Sequence, residues 1–277
     1  MTVQRGRDAI SLYSRFAQIR TVSDVTSENI RTFFFQGRTQ RQWKTSTFLT
    51  YRKALLVFFK WCVKEGHIEK NPVEDIEKPK REKLLPTHLT TQAALKLLEV
   101  VYNYPYTQKF LRYRNHAMFS MFLFAGLRKG ELLNLKLTDV DLENLTVFVR
   151  QGKGAKDRII PMSYALAHSL KRYVEERKRH HKTCPEFFTS SNKNMGFTEN
   201  GLTHFVTELR ASTGLKFHIH QLRHTFATLM LEGGCDIYSL SKMMGHSDIS
   251  TTTIYLSASA EHLRNQMFKH PLNDLVR

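Results

Sequence analysis

Residues 218–255 read HIHQLRHTFATLMLEGGCDIYSLSKMMGHSDISTTTIY. His220 and Arg223 stand three apart, so on a helix they share one face. The run after Arg223 keeps helical spacing, with Phe226, Leu229 and Met230 on one side. Gly233-Gly234 predicts its end. A second short helix, Asp236 to Met244, is expected to stop at Gly245 and leave His246 on the turn that follows. Asp248 is suited to cap a third helix that carries Tyr255. Polar and reactive side chains thus punctuate an otherwise apolar helical pattern.

Working outward, residues 112–126 are apolar on most sides, with Met118, Met121, Phe122 and Phe124, which predicts a helix at the centre of a core. AGLRKGELLNL follows from Ala125 to Leu135. Its leucines 132, 133 and 135 are expected to point inward, and Arg128 to reach a cleft just beyond the buried helix. The period then changes. Leu145–Arg150 and Arg158–Pro161 read as strands around the turn QGKGAKD, so a hairpin carries Lys153 and Lys156 near its tip. GKGAK lacks the spacing of a phosphate-binding P-loop. Helices are expected from Ser163 to about His180 and from Glu199 to Ala211, with a solvated basic end at Arg177, Lys178 and Arg179. Phe187-Phe188-Thr189 reads as a brief strand, and Ala260 to Phe268 as a helical tail.

The N-terminal part predicts three helices. The first spans Thr2 to Arg20, and the second follows a cap at Thr26-Ser27-Glu28. The clearest spans Thr45 to Glu65, with Phe48, Tyr51, Leu55, Phe58, Phe59 and Cys62 at helical spacing and Arg52, Lys53, Lys60 and Lys64 outside. From Asn71 to Pro86 three prolines and a run of charges break the periodicity. That stretch predicts a linker between an N-terminal domain, residues 1–80, and a larger C-terminal one, residues 81–277. The fold class expected is mainly α with a small β-hairpin or sheet.

Composition narrows the function. The formal charge of +17 over 277 residues favours a polyanionic partner, nucleic acid before membrane. No run of about 18 apolar residues is present, so no membrane span is expected. Three scattered cysteines argue against a disulfide framework and for a reducing compartment. His180-His181-x-x-Cys184 lacks a second ligand pair, so no metal site is expected.

Breaking a DNA phosphodiester without metal or high-energy cofactor needs three kinds of group. Arginine forks hold charge on the non-bridging oxygens. Lysine or histidine moves protons. Tyrosine can be a nucleophile that forms a covalent intermediate. Taken singly, each residue has an ordinary explanation: Arg128 in an ion pair with Glu131, Lys153 on a solvated turn, His220 and His246 as structural histidines, Tyr255 in the core. Their order and register with helix ends favour the joint reading. No carboxylate cluster of the two-metal nuclease kind is present in the sequence.

The pattern H-x-x-R-H-T-F-A-T, then G-H-S, then T-T-x-x-Y, resembles the C-terminal signature of the tyrosine recombinases, the phage-integrase and Xer family. The resemblance covers the chain from about Leu89 onward and extends loosely to the N-terminal part. It implies a helical core-site-binding domain followed by a catalytic domain. By motif it implies that Arg128, Lys153, His220, Arg223, His246 and Tyr255 are the catalytic residues. Glu131 would support the site and His224 would buttress it. In this scheme Tyr255 attacks to form a 3′-phosphotyrosyl link, His220 takes its proton and Lys153, or Lys156 on the same hairpin, protonates the 5′ oxygen. No cofactor is implied. The partners implied are double-stranded DNA with a specific recombination site and three further copies of the chain in a homotetramer, the helix Glu261–Phe268 docking on a neighbour. A cytoplasmic, nucleoid-associated location follows. Two further readings are a catalytically silent DNA-binding factor and a type IB topoisomerase. A nicking assay separates the first, and site-independent plasmid relaxation the second.

Overall fold

The computed structural model describes residues 3–80, 86–150, 157–246 and 248–256. The chain divides into two compact units, Met1–Leu84 and Leu85–Arg277, each with its own buried core. No helix among the described residues is long and apolar enough to cross a membrane.

In the first unit α1 (Val3–Ala17), α2 (Ser27–Thr39) and α3 (Thr45–Lys64) enclose a cluster of aromatic rings. Tyr13, Phe33, Phe34, Phe48 and Phe59 are buried there. Thr26 caps α2, its hydroxyl accepting from the Asn29 amide at 3.1 Å. Two expectations change. Arg52, expected on the solvated side of α3, is buried. Its Nε donates to Ile76 O at 2.7 Å, and Nη2 donates more weakly to Val73 O and Glu74 O. The beginning of the expected linker therefore packs on α3. Asn71, Val73 and Ile76 are buried, and Asn71 Nδ2 donates to Leu56 O at 3.0 Å. This turn has no helical ladder, so a guanidinium with several donors satisfies its carbonyls. Lys53, Lys60 and Lys64 remain exposed, as expected.

The second unit runs α4 (Thr91–Asn103), α5 (Lys109–Phe124), α6 (Lys129–Asn134), β1 (Val140–Asp141), β2 (Thr146–Val149), β3 (Arg158–Pro161), α7 (Tyr164–Arg179), α8 (Glu199–Thr213), α9 (Ile219–Glu232), α10 (Ile237–Met244) and α11 (Ser250–Leu256). Helix α5 is central, as its all-round apolar surface predicts. Phe110, Ala117, Met118, Phe119, Met121 and Phe122 have no exposed surface, and α4, α7 and α9 pack around them. The sheet is antiparallel in the order β1-β2-β3, with Val147 opposite Ile160. Strand β1, two residues long, is too short to show a period in sequence.

Phe187-Phe188-Thr189 is not a strand. Phe187 N bonds to Leu135 O while Phe188 O accepts from Phe197 N, so the backbone serves two different segments and no ladder extends. Arg177 is not part of a solvated basic end either. It is buried and donates to Cys184 O and Glu186 O, closing the loop after α7.

The residue that turns the chain from α5 toward α6 is Gly126, with φ +60°. A Cβ there would sit 2.3 Å from the Phe226 ring. Gly126→Ala is expected to cost roughly 1–3 kcal/mol through left-handed backbone strain alone, before the clash is added. Urea denaturation checks this, and an unchanged midpoint would contradict it.

Candidate active site

Arg128 is the residue before α6, reached directly from the turn at Gly126. Glu131, one helical turn on, reaches back: its Oε2 accepts from the Arg128 amide at 2.8 Å and its Oε1 from Arg128 Nη1 at 2.7 Å. The same carboxylate meets Arg158 as a fork, with Nη1–Oε1 at 3.1 Å and Nη2–Oε2 at 2.8 Å. Arg158 lies on β3, where alternation turns it to the buried face with Ile160. A third guanidinium, Arg223, has its Nη1 4.0 Å from Glu131 Oε2. Burial would raise the Glu131 pKa, yet the bonds from Arg158 and from the Arg128 amide hold it down at about 2.

The C-terminus of α10 completes the anchorage. Gly245 ends that helix in the left-handed region with φ 65°. Three successive carbonyls then each receive one arginine. Met243 O accepts from Arg158 Nε at 2.7 Å, Met244 O from Arg223 Nη2 at 2.7 Å, and Gly245 O from Arg128 Nη2 at 3.4 Å. These are carbonyls that a helix end leaves without intrahelical donors, at the negative end of its dipole. Arg223 also donates to Gly126 O at 2.5 Å. Its side chain is 3% exposed, whereas that of Arg128 is 41% exposed. Burial first, then the Arg128 charge, brings the Arg223 pKa down to about 10, so it stays a cation.

The histidines and the tyrosine lie against this cluster. His246 Nε2 is 3.1 Å from Arg223 Nη2, and its Nδ1 is 2.8 Å from Thr252 Oγ1 on α11. Burial, then Arg223, Arg128 and Arg158, push the His246 pKa down to about 4. Tyr255 is 2% exposed, and its hydroxyl is 2.7 Å from His224 Nδ1. Burial raises the Tyr255 pKa, and Arg223 and Arg128 partly offset that. His224 is itself held down at about 4, by burial and then by His220, Arg223, His218 and His88.

Five of the six residues singled out in the sequence are thus described. Arg128, Arg223, His246 and Tyr255 converge within one network, and His220 joins it through its ring, 4.5 Å from that of His224. His220 and Arg223 also border a groove of about 340 Å³ that Leu202, Val206 and Arg210 of α8 line on the other side. Lys153 and its alternative Lys156 lie outside the described residues, as does Glu261–Phe268. The residue touching the Tyr255 hydroxyl is His224, not His220. On α9 the spacing of His220 and Arg223 put both on one face, but the hydroxyl of a residue on α11 meets the next position along. Arg158 and Thr252 carried no role in the sequence reading. Alternation in β3 and the three-residue step from Thr252 to Tyr255 were the signals available. Among the described residues no group of three or more His, Cys, Asp or Glu is placed to hold a metal ion.

Because Glu131 and Arg158 side chains are only 10% and 6% exposed, removing one partner leaves a buried charge. Glu131→Gln is expected to cost roughly 3–5 kcal/mol in urea unfolding. A loss below about 1 kcal/mol would show that the carboxylate does not hold the arginines together.

Comparison with known proteins agrees along both units. Residues 87–262 match the phage integrase family, and residues 2–68 match the phage integrase N-terminal SAM-like domain. The tyrosine recombinase XerA of Thermococcus onnurineus (strain NA1) is 36% identical over 217 residues, 78% of this chain and 72% of that one. The tyrosine recombinase XerC of Oceanobacillus iheyensis is 30% identical over 283 residues, 98% of this chain and 90% of its own length. Among solved structures, XerA recombinase is similar with a TM-score of 0.57 at 26% identity, covering 97% of this chain and 91% of that one. The fold also matches XerH bound to palindromic difH substrate in a post-cleavage complex, with a TM-score of 0.75 at 24% identity over 95% of this chain and 79% of that one. With its family catalytic region and its SAM-like N-terminal region both matched, this chain belongs to the phage integrase family of tyrosine recombinases.

Proposed function

We propose that this chain is a site-specific recombinase that cuts and rejoins DNA strands through a covalent link between Tyr255 and a 3′ phosphate. The observation that supports this most is the convergence of two cations, Arg128 and Arg223, on adjacent carbonyls of α10, with Tyr255 in contact with the same face of α9. Among the described residues Arg223 spends three N–H bonds on Gly126 O, Met244 O and His246. A guanidinium has five. The Nε–H and one Nη1–H are left for a phosphate oxygen, and the half-exposed Arg128 supplies a second fork.

In the reaction, the Tyr255 oxygen attacks phosphorus as its proton leaves to His224, the residue in hydrogen-bond contact. The bond from phosphorus to the 5′ oxygen breaks, and Lys153 supplies the proton that this oxygen takes up. Arg128 and Arg223 hold the charge that develops on the non-bridging oxygens, with His246 bracing Arg223. His220, at the groove, positions the phosphate. A 5′ hydroxyl from a partner strand then attacks the phosphotyrosine and reverses the steps, so the phosphodiester's free energy is conserved and no ATP is consumed. Tyr255 is buried in the resting chain, in a cluster with residues of α9 and α10.

The substrate in this reading is duplex DNA carrying a specific site, which places the protein at the nucleoid in the cytoplasm. Its positive charge supplies affinity with a steep salt dependence. Residues 1–80 act as the core-site-binding domain and 81–277 as the catalytic domain. Four copies assemble on two duplexes, each docking Glu261–Phe268 on a neighbour.

Two experiments test this. Tyr255→Phe is expected to abolish covalent protein–DNA adducts on a nicked suicide substrate while retaining DNA binding; adducts at the wild-type level would mean another nucleophile. Removing residues 261–277 is expected to weaken tetramers on paired sites and to spare single-site binding. Unchanged assembly in sedimentation would refute the docking role of the tail.

A further inference from the structure

On the helix of Tyr255, Thr252 reaches the arginine cluster through His246. It has no exposed surface, and it lies one helical turn before Tyr255, so both face α9 and α10. Its Oγ1 is 2.8 Å from His246 Nδ1, and the other ring nitrogen, Nε2, is 3.1 Å from Arg223 Nη2. A guanidinium can only donate. His246 Nε2 must therefore present its lone pair to Arg223. Burial and three arginines keep this ring uncharged at neutral pH, so it carries a single N–H. That N–H is on Nδ1, and Thr252 Oγ1 accepts it.

We propose that Thr252 is a positioning residue for strand cleavage: by accepting the Nδ1 proton it selects the His246 tautomer that orients Arg223. Docking α11 and aiming a phosphate-binding arginine then become a single event. With α11 withdrawn, Nδ1 loses this acceptor and the proton is free to move to Nε2. There it would face an Arg223 N–H, donor against donor, and the guanidinium would turn away. The arrangement keeps the phosphate grip from being fully built when the nucleophile is absent. It rests on the recombinase reading above.

A buried threonine can also be mere packing, and two substitutions separate the roles. Thr252→Val keeps the volume and removes the acceptor; Thr252→Ser keeps the acceptor and removes a methyl. In the full chain, on a nicked suicide duplex, the positioning role predicts that T252V slows adduct formation about tenfold, the worth of one hydrogen bond, with Kd for the duplex unchanged. T252S should stay within about threefold of the wild type. A packing role predicts the reverse order. Independently, 15N NMR of the histidine rings should find His246 as the Nδ1–H tautomer in the wild type and in T252S, and as a mixture in T252V. That spectrum decides the matter even if T252V is too unstable to assay: His246 found as the Nε2–H tautomer in the wild type overturns the proposal. So does wild-type cleavage by a folded T252V. If the wild type itself forms no adduct, the recombinase reading falls and takes this role with it, an outcome distinct from a normal wild type matched by T252V.

Discussion

Three like charges brought together repel, and everything at this site depends on how that repulsion is offset. Arg128, Arg158 and Arg223 come from three elements far apart in sequence. One carboxylate, Glu131, and three consecutive carbonyls at the end of α10 receive them. Neither anchor alone suffices. A single carboxylate cannot neutralise three guanidiniums, and helix-end carbonyls carry only partial charge. Together they leave the site with net positive charge and partly free N–H groups, which is what an incoming phosphate diester would neutralise.

The same field sets the state of the histidines. His224 and His246 sit among cations and are partly buried, so each stays neutral well below the ordinary imidazole range. Neutral rings can accept a hydrogen bond from one neighbour while donating to another. His246 thereby links Thr252 of α11 to Arg223, and His224 meets the Tyr255 hydroxyl, without adding charge to an already cationic site. Tyr255 is the counterpart: burial raises its hydroxyl pKa, and the charges of Arg223 and Arg128 partly offset that.

In the first unit an arginine does a different job. Arg52 is buried without a carboxylate partner among the described contacts and serves backbone carbonyls of 73–76. It fastens the segment after α3 to its own unit. Arg177 does likewise for the loop after α7. In both places the pattern around the residue, a charge on an amphipathic helix, is that of a solvated face. Which carbonyls lack donors nearby is a tertiary fact, and it decides where the guanidinium goes.

Much of the helical framework was legible in the chain itself. The central position of α5, the cap at Thr26, the stop at Gly245 and the paired strands around residues 151–157 follow from local period, capping chemistry and turn residues. The order and spacing of Arg128, His220, Arg223, His246 and Tyr255 also sufficed to bring them to one reading. Tertiary structure alone decided their partners. Arg158 forks onto Glu131 27 residues away, His224 rather than His220 meets the Tyr255 hydroxyl, and Thr252 Oγ1 pairs with His246 Nδ1. Helical spacing determines which face a side chain occupies, because the backbone repeats. It does not determine which atom on a neighbouring helix that side chain will meet, because that depends on how separately encoded elements pack.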